Sequence, residues 1–294
     1  MSDNVLITGA DGQLGHELQR AAPDGVSAVA LPRAALDITD AAAIAACLEQ
    51  HRPTALVNAA AYTAVDRAES EEPLANAVNA TAPGLLAAAC REQGVRLIHV
   101  STDFVFDGAA CQPYAPDAQP APLGAYGRSK LAGEHAVLDV LQDALIVRTG
   151  WVYSAHGANF VKTMLRLMAE RDELTVVADQ VGTPTWAAGL AGALWRAVSL
   201  PALTGIYHWS DAGVCSWYDF AVAIEEEGRS LGLLDKPTAV RPIAAVDYPT
   251  PAQRPAYSVL DKRSSWNDLA LAPVHWREQL RRMLAELKDQ DHGY

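Results

Sequence analysis

Cations, paired cysteines and long apolar runs are all scarce in this chain, and each shortage excludes something. Only 23 Lys and Arg stand against 35 Asp and Glu in 294 residues, a formal charge of 23 − 35 = −12. A protein that neutralises nucleic-acid phosphates or coats anionic lipid needs a basic face. The excess of carboxylates therefore argues against nucleic-acid and membrane partners. The four cysteines, Cys47, Cys90, Cys111 and Cys215, form no CxxC pair and have no His at zinc-ligand spacing. Reduced thiols in a cytoplasmic protein are expected. No stretch approaches the ~20 apolar residues of a spanning helix. Met1-Ser-Asp-Asn4 leads into a short apolar run that is not a signal peptide. Repeats and low-complexity tracts are also missing. Any phosphorylated ligand must be held by local features against an unfavourable net field.

What is present is alternation. Val5 to Thr8, Val26 to Leu31, Ala55 to Asn58, Val95 to Ser101 and Ala144 to Arg148 are near-continuously apolar, the mark of strands buried on both faces of a parallel sheet. Helical segments lie between them: Gln13 to Ala22, Asp40 to Gln50, Ala75 to Gln93 and Tyr126 to Leu141. Strand and helix repeated this way predict an α/β, doubly wound, Rossmann-type parallel sheet. After Gly150 the pattern loosens. Helices are expected at Ala158 to Arg171, Trp186 to Ser199, Ser216 to Leu231 and Val274 to Lys288, with strands near Leu174 to Ala178, Gly205 to Trp209 and Thr238 to Ile243. Residues 1–150 are expected to bind a dinucleotide, with later segments returning to that half, and 151–294 to form mainly a smaller α/β substrate-binding lobe. Tyr248 to Pro255, rich in proline, reads as an ordered surface loop.

Gly9-Ala-Asp-Gly12-Gln-Leu-Gly15 sits between the first strand and the first helix. Such glycine spacing allows a tight turn, approach of backbone N–H groups to a pyrophosphate, and an anion at the helix N-terminus. The acidic residue that usually follows the second strand and binds the ribose of NAD is missing. The strand ends in Leu31-Pro-Arg33 instead, and Arg33 suits the 2′-phosphate of NADPH, with a solvated surface arginine as the bland reading. Asp37-Ile38 is a candidate for the adenine edge, although an aspartate before a helix also serves as a cap.

Tyr126 and Lys130, at i and i+4, lie on one helical face. A phenol titrates near 10, and a neighbouring ammonium together with an oxidised nicotinamide is expected to lower it. Tyr126 is thus a candidate proton donor to a carbonyl that receives hydride. Ser101-Thr102-Asp103 ends the fourth strand, where open α/β sheets place their ligands. A hydroxyl there polarises a carbonyl and a carboxylate binds sugar hydroxyls.

Asn58-Ala-Ala-Ala-Tyr-Thr63, Ala64-Val-Asp-Arg-Ala-Glu-Ser70, Ser101-Thr-Asp-Phe-Val-Phe-Asp-Gly108, Tyr126-Gly-Arg-Ser-Lys-Leu-Ala-Gly-Glu134, Arg148-Thr-Gly-Trp-Val-Tyr153, Asp179-Gln-Val-Gly-Thr-Pro-Thr185 and Arg254-Pro-Ala-Tyr-Ser-Val-Leu-Asp261 resemble the dTDP-4-dehydrorhamnose reductase family, within the extended short-chain dehydrogenase/reductases. The resemblance implies reduction of the 4-keto group of dTDP-4-dehydro-6-deoxy-L-mannose to dTDP-L-rhamnose, which supplies surface polysaccharide such as the lipopolysaccharide O-antigen. NADPH is the implied cofactor, with NADH as the alternative. By the same resemblance Tyr126 donates the proton, Lys130 holds the nicotinamide ribose and tunes Tyr126, and Thr102 takes the place that many short-chain reductases give to serine. Asp103 and Trp151 are implied to contact the sugar nucleotide. Gly12, Gln13, Leu14, Ala61, Tyr62 and Thr63 match cofactor-contacting positions. Arg254 is a candidate bidentate clamp for the substrate diphosphate, with a plain surface arginine as its rival.

The chemistry itself needs no protein metal. Some members of the family carry Mg²⁺ at a dimer contact made of carboxylates, and Glu17 matches one such ligand. The stretch after Pro184 reads Thr-Trp-Ala-Ala-Gly, with no carboxylate, so a metal-bridged dimer is not expected and a monomer or homodimer stays open. Two alternatives stand beside the reductase. One is another nucleotide-sugar reductase or epimerase, since Thr102-Asp103-Phe104 lacks the acid pair expected of a dehydratase. The other is a non-catalytic nucleotide-binding subunit of the same fold, as in a relative associated with methionine adenosyltransferase.

Overall fold

A computed structural model describes residues 4–291; Met1 to Asp3, on which the N-terminal reading partly rests, and residues 292–294 lie outside the described residues. The chain runs through β1 (Asn4–Thr8), α1 (Gln13–Arg20), β2 (Ser27–Leu31), α2 (Ala41–His51), β3 (Ala55–Asn58), α3 (Val65–Ala68), α4 (Glu72–Asn76), a π-helical turn (Ala77–Thr81), α5 (Ala82–Gln93), β4 (Arg96–Thr102), α6 (Ala125–Val140) and β5 (Leu145–Thr149). It continues through β6 (Val152–Tyr153), α7 (Phe160–Glu170), β7 (Glu173–Val177), β8 (Val181–Gly182), β9 (Thr185–Trp186), α8 (Ala187–Val198), β10 (Gly205–His208), β11 (Cys215–Ser216), α9 (Trp217–Ser230), β12 (Ala239–Ile243), α10 (Arg263–Asp268) and α11 (Trp276–Asp291).

Six strands form one parallel sheet in the order β10-β5-β4-β3-β1-β2. β3 and β5 are buried along their whole length, because helices cover both faces of the sheet. On one face Leu6, Leu56, Leu97 and Ile146 pack with Leu48, Leu86 and Val137 from α2, α5 and α6. On the other, Ile7, Val57, Ile98 and Leu145 meet Leu14 and Leu18 of α1 and Leu190 and Leu194 of α8. The Trp195 indole donates to the Leu18 carbonyl at 2.9 Å and fixes α8 on α1. The strand order reverses between β1 and β3, so the crevice for a ligand opens at their carboxyl ends. A second core joins Val161, Met164 and Met168 of α7, Phe220 and Ile224 of α9 and Leu280 and Met283 of α11. β7 and β12 form a small parallel pair beside it. Among the described residues no helix is long and apolar enough to cross a membrane.

Two features depart from the simple strand-helix reading. The segment Ala75 to Gln93 is not one helix: it is broken into the end of α4, the π-helical turn and α5. Pro83 has no N–H to bond the Asn79 carbonyl, which destabilises a regular helix there. β10, from the second half, adds to the sheet beside β5 and is no departure, since later segments are expected to return to the first half. Short pairs such as β6 with β9 and β8 with β11 carry too little periodicity to be read from sequence. Elsewhere the element ends move by one to three residues.

The freed Asn79 carbonyl faces α6. A Cβ on Gly133 would lie 2.0 Å from that oxygen, so helix and turn meet backbone to backbone. Gly133→Ala is expected to cost about 1–3 kcal/mol or more, because backbone cannot yield as a side chain can. A denaturant midpoint unchanged from the parent protein would contradict this packing.

Candidate active site

Gly9, at φ 74°, turns the chain out of β1. A Cβ on Gly9 would lie 2.7 Å from the Ala60 nitrogen, and one on Gly15 only 2.1 Å from the Gly9 carbonyl. The glycines therefore let α1 and the exit of β3 close on the same turn. Gly12 caps α1 with no side-chain bond and no acidic residue in the first turn, which leaves the amides of Gln13 and Leu14 facing outward for an anion. This cradle fits a dinucleotide pyrophosphate. Asn58 locks the neighbouring strand end: its side chain accepts from Thr8 Oγ1 at 2.6 Å and from the Ala60 N–H at 3.2 Å. Asn79 then accepts from the Tyr62 N–H at 2.8 Å and donates to the Tyr62 carbonyl at 2.9 Å. Ala61, Tyr62 and Thr63 are thereby held next to the glycine turn, with the Tyr62 phenol donating to Glu71.

On the other side of the crevice, β4 ends at Thr102. Its hydroxyl accepts from the Phe104 N–H at 3.2 Å and donates to Asp103 Oδ1 at 3.1 Å. Asp103 is buried, its carboxyl group packed where a side chain on Gly150 would sit. Burial pushes the acid up to about 6, offset in part by the Ser258 and Thr102 hydroxyls. α6 brings Tyr126 to the same place because a Cβ on Gly127 would meet the Phe104 carbonyl at 2.3 Å. Only glycine permits that approach. The Tyr126 phenol is pushed up to about 12 by burial, Thr102 draws it part of the way back, and Asp103 opposes that. The lowering expected of an ammonium together with an oxidised nicotinamide is not seen in the protein without cofactor. In the protein alone desolvation dominates, and Tyr126 stays protonated at neutral pH.

Lys130, one turn along α6, donates from Nζ to the Val100 carbonyl at 2.7 Å. Burial lowers its ammonium to about 8 and Glu134 resists that shift. Glu134 is itself buried and gripped by Arg148 through Nε at 2.9 Å and Nη2 at 2.7 Å, with Ser101 donating to the same carboxylate. Sequence reading left Glu134 and Arg148 without a role. The i, i+4 spacing from Lys130 was the available signal.

The remaining candidates scatter. Arg33 is exposed but lies at the correct strand end, because the Ala10 N–H donates to the Leu31 carbonyl. Asp37 accepts from the Thr39 N–H and hydroxyl at 2.9 and 2.7 Å, and Ile38 is buried in the core. Asp37 is thus engaged locally through Oδ1 and remains exposed. Arg254 departs from the expected free clamp: its guanidinium binds Asp66 at 3.0 and 2.8 Å and Thr250 at 2.6 Å. Glu17 is fully buried, accepting from Ser154 at 2.6 Å and pairing with Arg20 at 2.8 Å, so its carboxylate faces inward. Among the described residues no group of three or more His, Cys, Asp or Glu could hold a metal. Trp151, at φ 52°, stacks flat on Trp217 with ring centroids 3.5 Å apart, and its indole edge rests against Gly182. Trp217 escaped sequence reading because its partner is so distant along the chain.

Residues 3–289 match the family model described as RmlD substrate binding domain. The chain belongs to this family. It is 47% identical to the dTDP-4-dehydrorhamnose reductase of Streptomyces griseus, covering 94% of this chain and 91% of the relative. It is 44% identical to a probable dTDP-4,6-dihydroxy-2-methyloxan-3-one 4-ketoreductase of Streptomyces antibioticus, covering 98% and 96%. The crystal structure of the Bacillus anthracis dTDP-4-dehydrorhamnose reductase in complex with NADP superposes with a TM-score of 0.92 at 36% identity, covering 97% of this chain and all of that one.

Stacking of the Trp151–Trp217 kind contributes about 0.5–1.5 kcal/mol beyond area burial. If the pair forms a wall of the sugar-nucleotide site, Trp217→Ala raises the KM for that substrate roughly 2–10-fold and leaves cofactor affinity unchanged. Unchanged KM for both ligands would remove the pair from the site.

Proposed function

We propose that this protein is the NADPH-dependent reductase that converts the 4-keto group of dTDP-4-dehydro-6-deoxy-L-mannose to the 4-hydroxyl of dTDP-L-rhamnose. The observation that carries this reading is the convergence of Thr102, Tyr126 and Lys130 at the carboxyl end of β4, facing the glycine turn across the crevice. Reduced nicotinamide, when bound, supplies hydride to the sugar C4. Thr102 turns its hydroxyl hydrogen from Asp103 to the ketone oxygen, and Tyr126 delivers the proton that turns that oxygen into a hydroxyl. Its raised pKa keeps the phenol loaded until negative charge develops on that oxygen. Lys130, fixed by the Val100 carbonyl, keeps further N–H donors for the nicotinamide ribose. Asp103 and Trp151 take the sugar, and Gly12 to Gly15 with Ala61 to Thr63 take the dinucleotide. Arg33 serves the 2′-phosphate. A clamp by Arg254 requires it to exchange Asp66 for the substrate diphosphate.

The cofactor half is the six-stranded sheet with its helices, including the returning α8 and β10, and the lobe built on α7, α9 and α11 is the substrate half. The reading places the enzyme in the cytoplasm, as a monomer or homodimer without a bridging metal. The ketoreductase relative from Streptomyces antibioticus favours a second reading, reduction of a different dTDP-linked 4-ketosugar at the same centre.

Tyr126→Phe is expected to lower kcat by a factor on the order of 10²–10⁴ while NADPH still binds; near-normal NADPH oxidation would remove Tyr126 from the reaction. Arg33→Ala is expected to raise the KM for NADPH about tenfold or more and leave that for NADH in place. Equal effects on both cofactors would make Arg33 a bland surface residue.

A further inference from the structure

Beneath Lys130 lies a buried ion pair for which reduction has no direct use. Glu134 and Arg148 are 1% and 2% exposed. They join α6 to β5 behind the residues that face the crevice, and Ser101 of β4 donates to the same carboxylate. Arg148 is held from every side: it lies over the Phe106 ring, 5.2 Å from its centroid, and Nη1 donates to the Pro116 carbonyl at 3.2 Å. Two charges this thoroughly desolvated are weak evidence of stabilisation, since well-packed apolar side chains often serve as well. Their placement is more informative. Glu134 follows Lys130 by one helical turn, so carboxylate and ammonium share a face of α6, while Arg148 grips the carboxylate from the side of β5.

We propose that Glu134 is a positioning residue for Lys130: clamped by Arg148 and Ser101, its carboxylate supplies the fixed negative charge against which the Lys130 ammonium is held. This rests on the reading of Lys130 as the ribose-binding residue. The other groups around Lys130 do not provide that charge. His99 of β4 is fully buried and driven well below its usual range by burial and by Lys130 itself, so it is neutral. Tyr126 is protonated, and Asp103 acts on Tyr126 from the turn after β4. Neutralising Glu134 also leaves the buried Arg148 guanidinium without its counter-charge. Burial lowers the ammonium to about 8 in spite of Glu134, which leaves little margin at neutral pH.

The sign follows directly. Lys130 works protonated, so activity is present below its folded pKa and lost as pH rises through it. The test is the pH dependence of kcat/KM for NADPH, with the dTDP-4-ketosugar in excess. In the parent protein the alkaline limb falls near 8. In Glu134→Gln it moves down by about one pH unit or more, so activity lost at neutral pH returns under mildly acidic conditions. In Glu134→Gln with Arg148→Met, which removes both charges, the limb lies between those of the parent and the single variant. Glu134→Asp restores the parental limb. A uniform loss of activity in Glu134→Gln with the limb unmoved overturns the proposal and leaves the pair a structural brace. If the single variant does not fold, the double variant decides: a limb below the parent's supports the proposal and one equal to it overturns it. Failure of the parent protein to oxidise NADPH with the ketosugar tells against the reductase reading, a result distinct from a limb that does not move.

Discussion

The site depends on how closely α6 can lie against the end of β4. Two glycines set that distance: Gly127 against the Phe104 carbonyl and Gly133 against the Asn79 carbonyl. With a methyl group at either, the helix would have to lift, and Tyr126 and Lys130 lie on its buried side. Once the helix is seated, Lys130 reaches the Val100 carbonyl and Glu134 reaches Ser101 and Arg148. The placement of phenol, ammonium and ion pair follows from one backbone approach. The same approach buries the phenol and the ammonium, and their opposite shifts, up for Tyr126 and down for Lys130, both come first from desolvation.

The chain carries 12 more acidic than basic side chains, yet the proposed ligands are two diphosphates. Local dipoles resolve that conflict. The uncapped first turn of α1 offers amide N–H groups, and a few cations are placed individually. Of these, Lys130 is tied to a carbonyl, Arg254 to Asp66 and Arg148 to Glu134. Arg33 alone among the candidate cations stands exposed near the glycine turn. With a net charge of −12, the proposed binding of diphosphates falls to single, oriented donors.

The parallel sheet was legible because its strands are apolar on both faces, and the glycine turn and the Tyr126–Lys130 pair because their spacing is local. What stayed hidden depends on contacts between distant segments. The Arg254–Asp66 pair spans 188 residues, and the Trp151–Trp217 stack joins the end of β5 to the start of α9. The π-helical turn was hidden because alanine-rich sequence favours a regular helix, and only Pro83 hints at the lost hydrogen bond. The upward shift of Tyr126 in the protein without cofactor was hidden for a related reason: sequence does not show the burial that causes it. At Asp37 and Ile38 position alone did not show that Thr39 bonds one side chain and the core buries the other.

The central claim is that this crevice delivers hydride from a nicotinamide to the C4 carbon of a dTDP-linked ketosugar. The most direct measurement supplies dTDP-4-dehydro-6-deoxy-L-mannose with NADPH carrying deuterium at the transferable ring position and follows the product by nuclear magnetic resonance. The account predicts dTDP-L-rhamnose with deuterium on the sugar C4 and an unlabelled proton on its oxygen. Recovery of unreduced ketosugar, or of a reduced sugar without deuterium at C4, would contradict it.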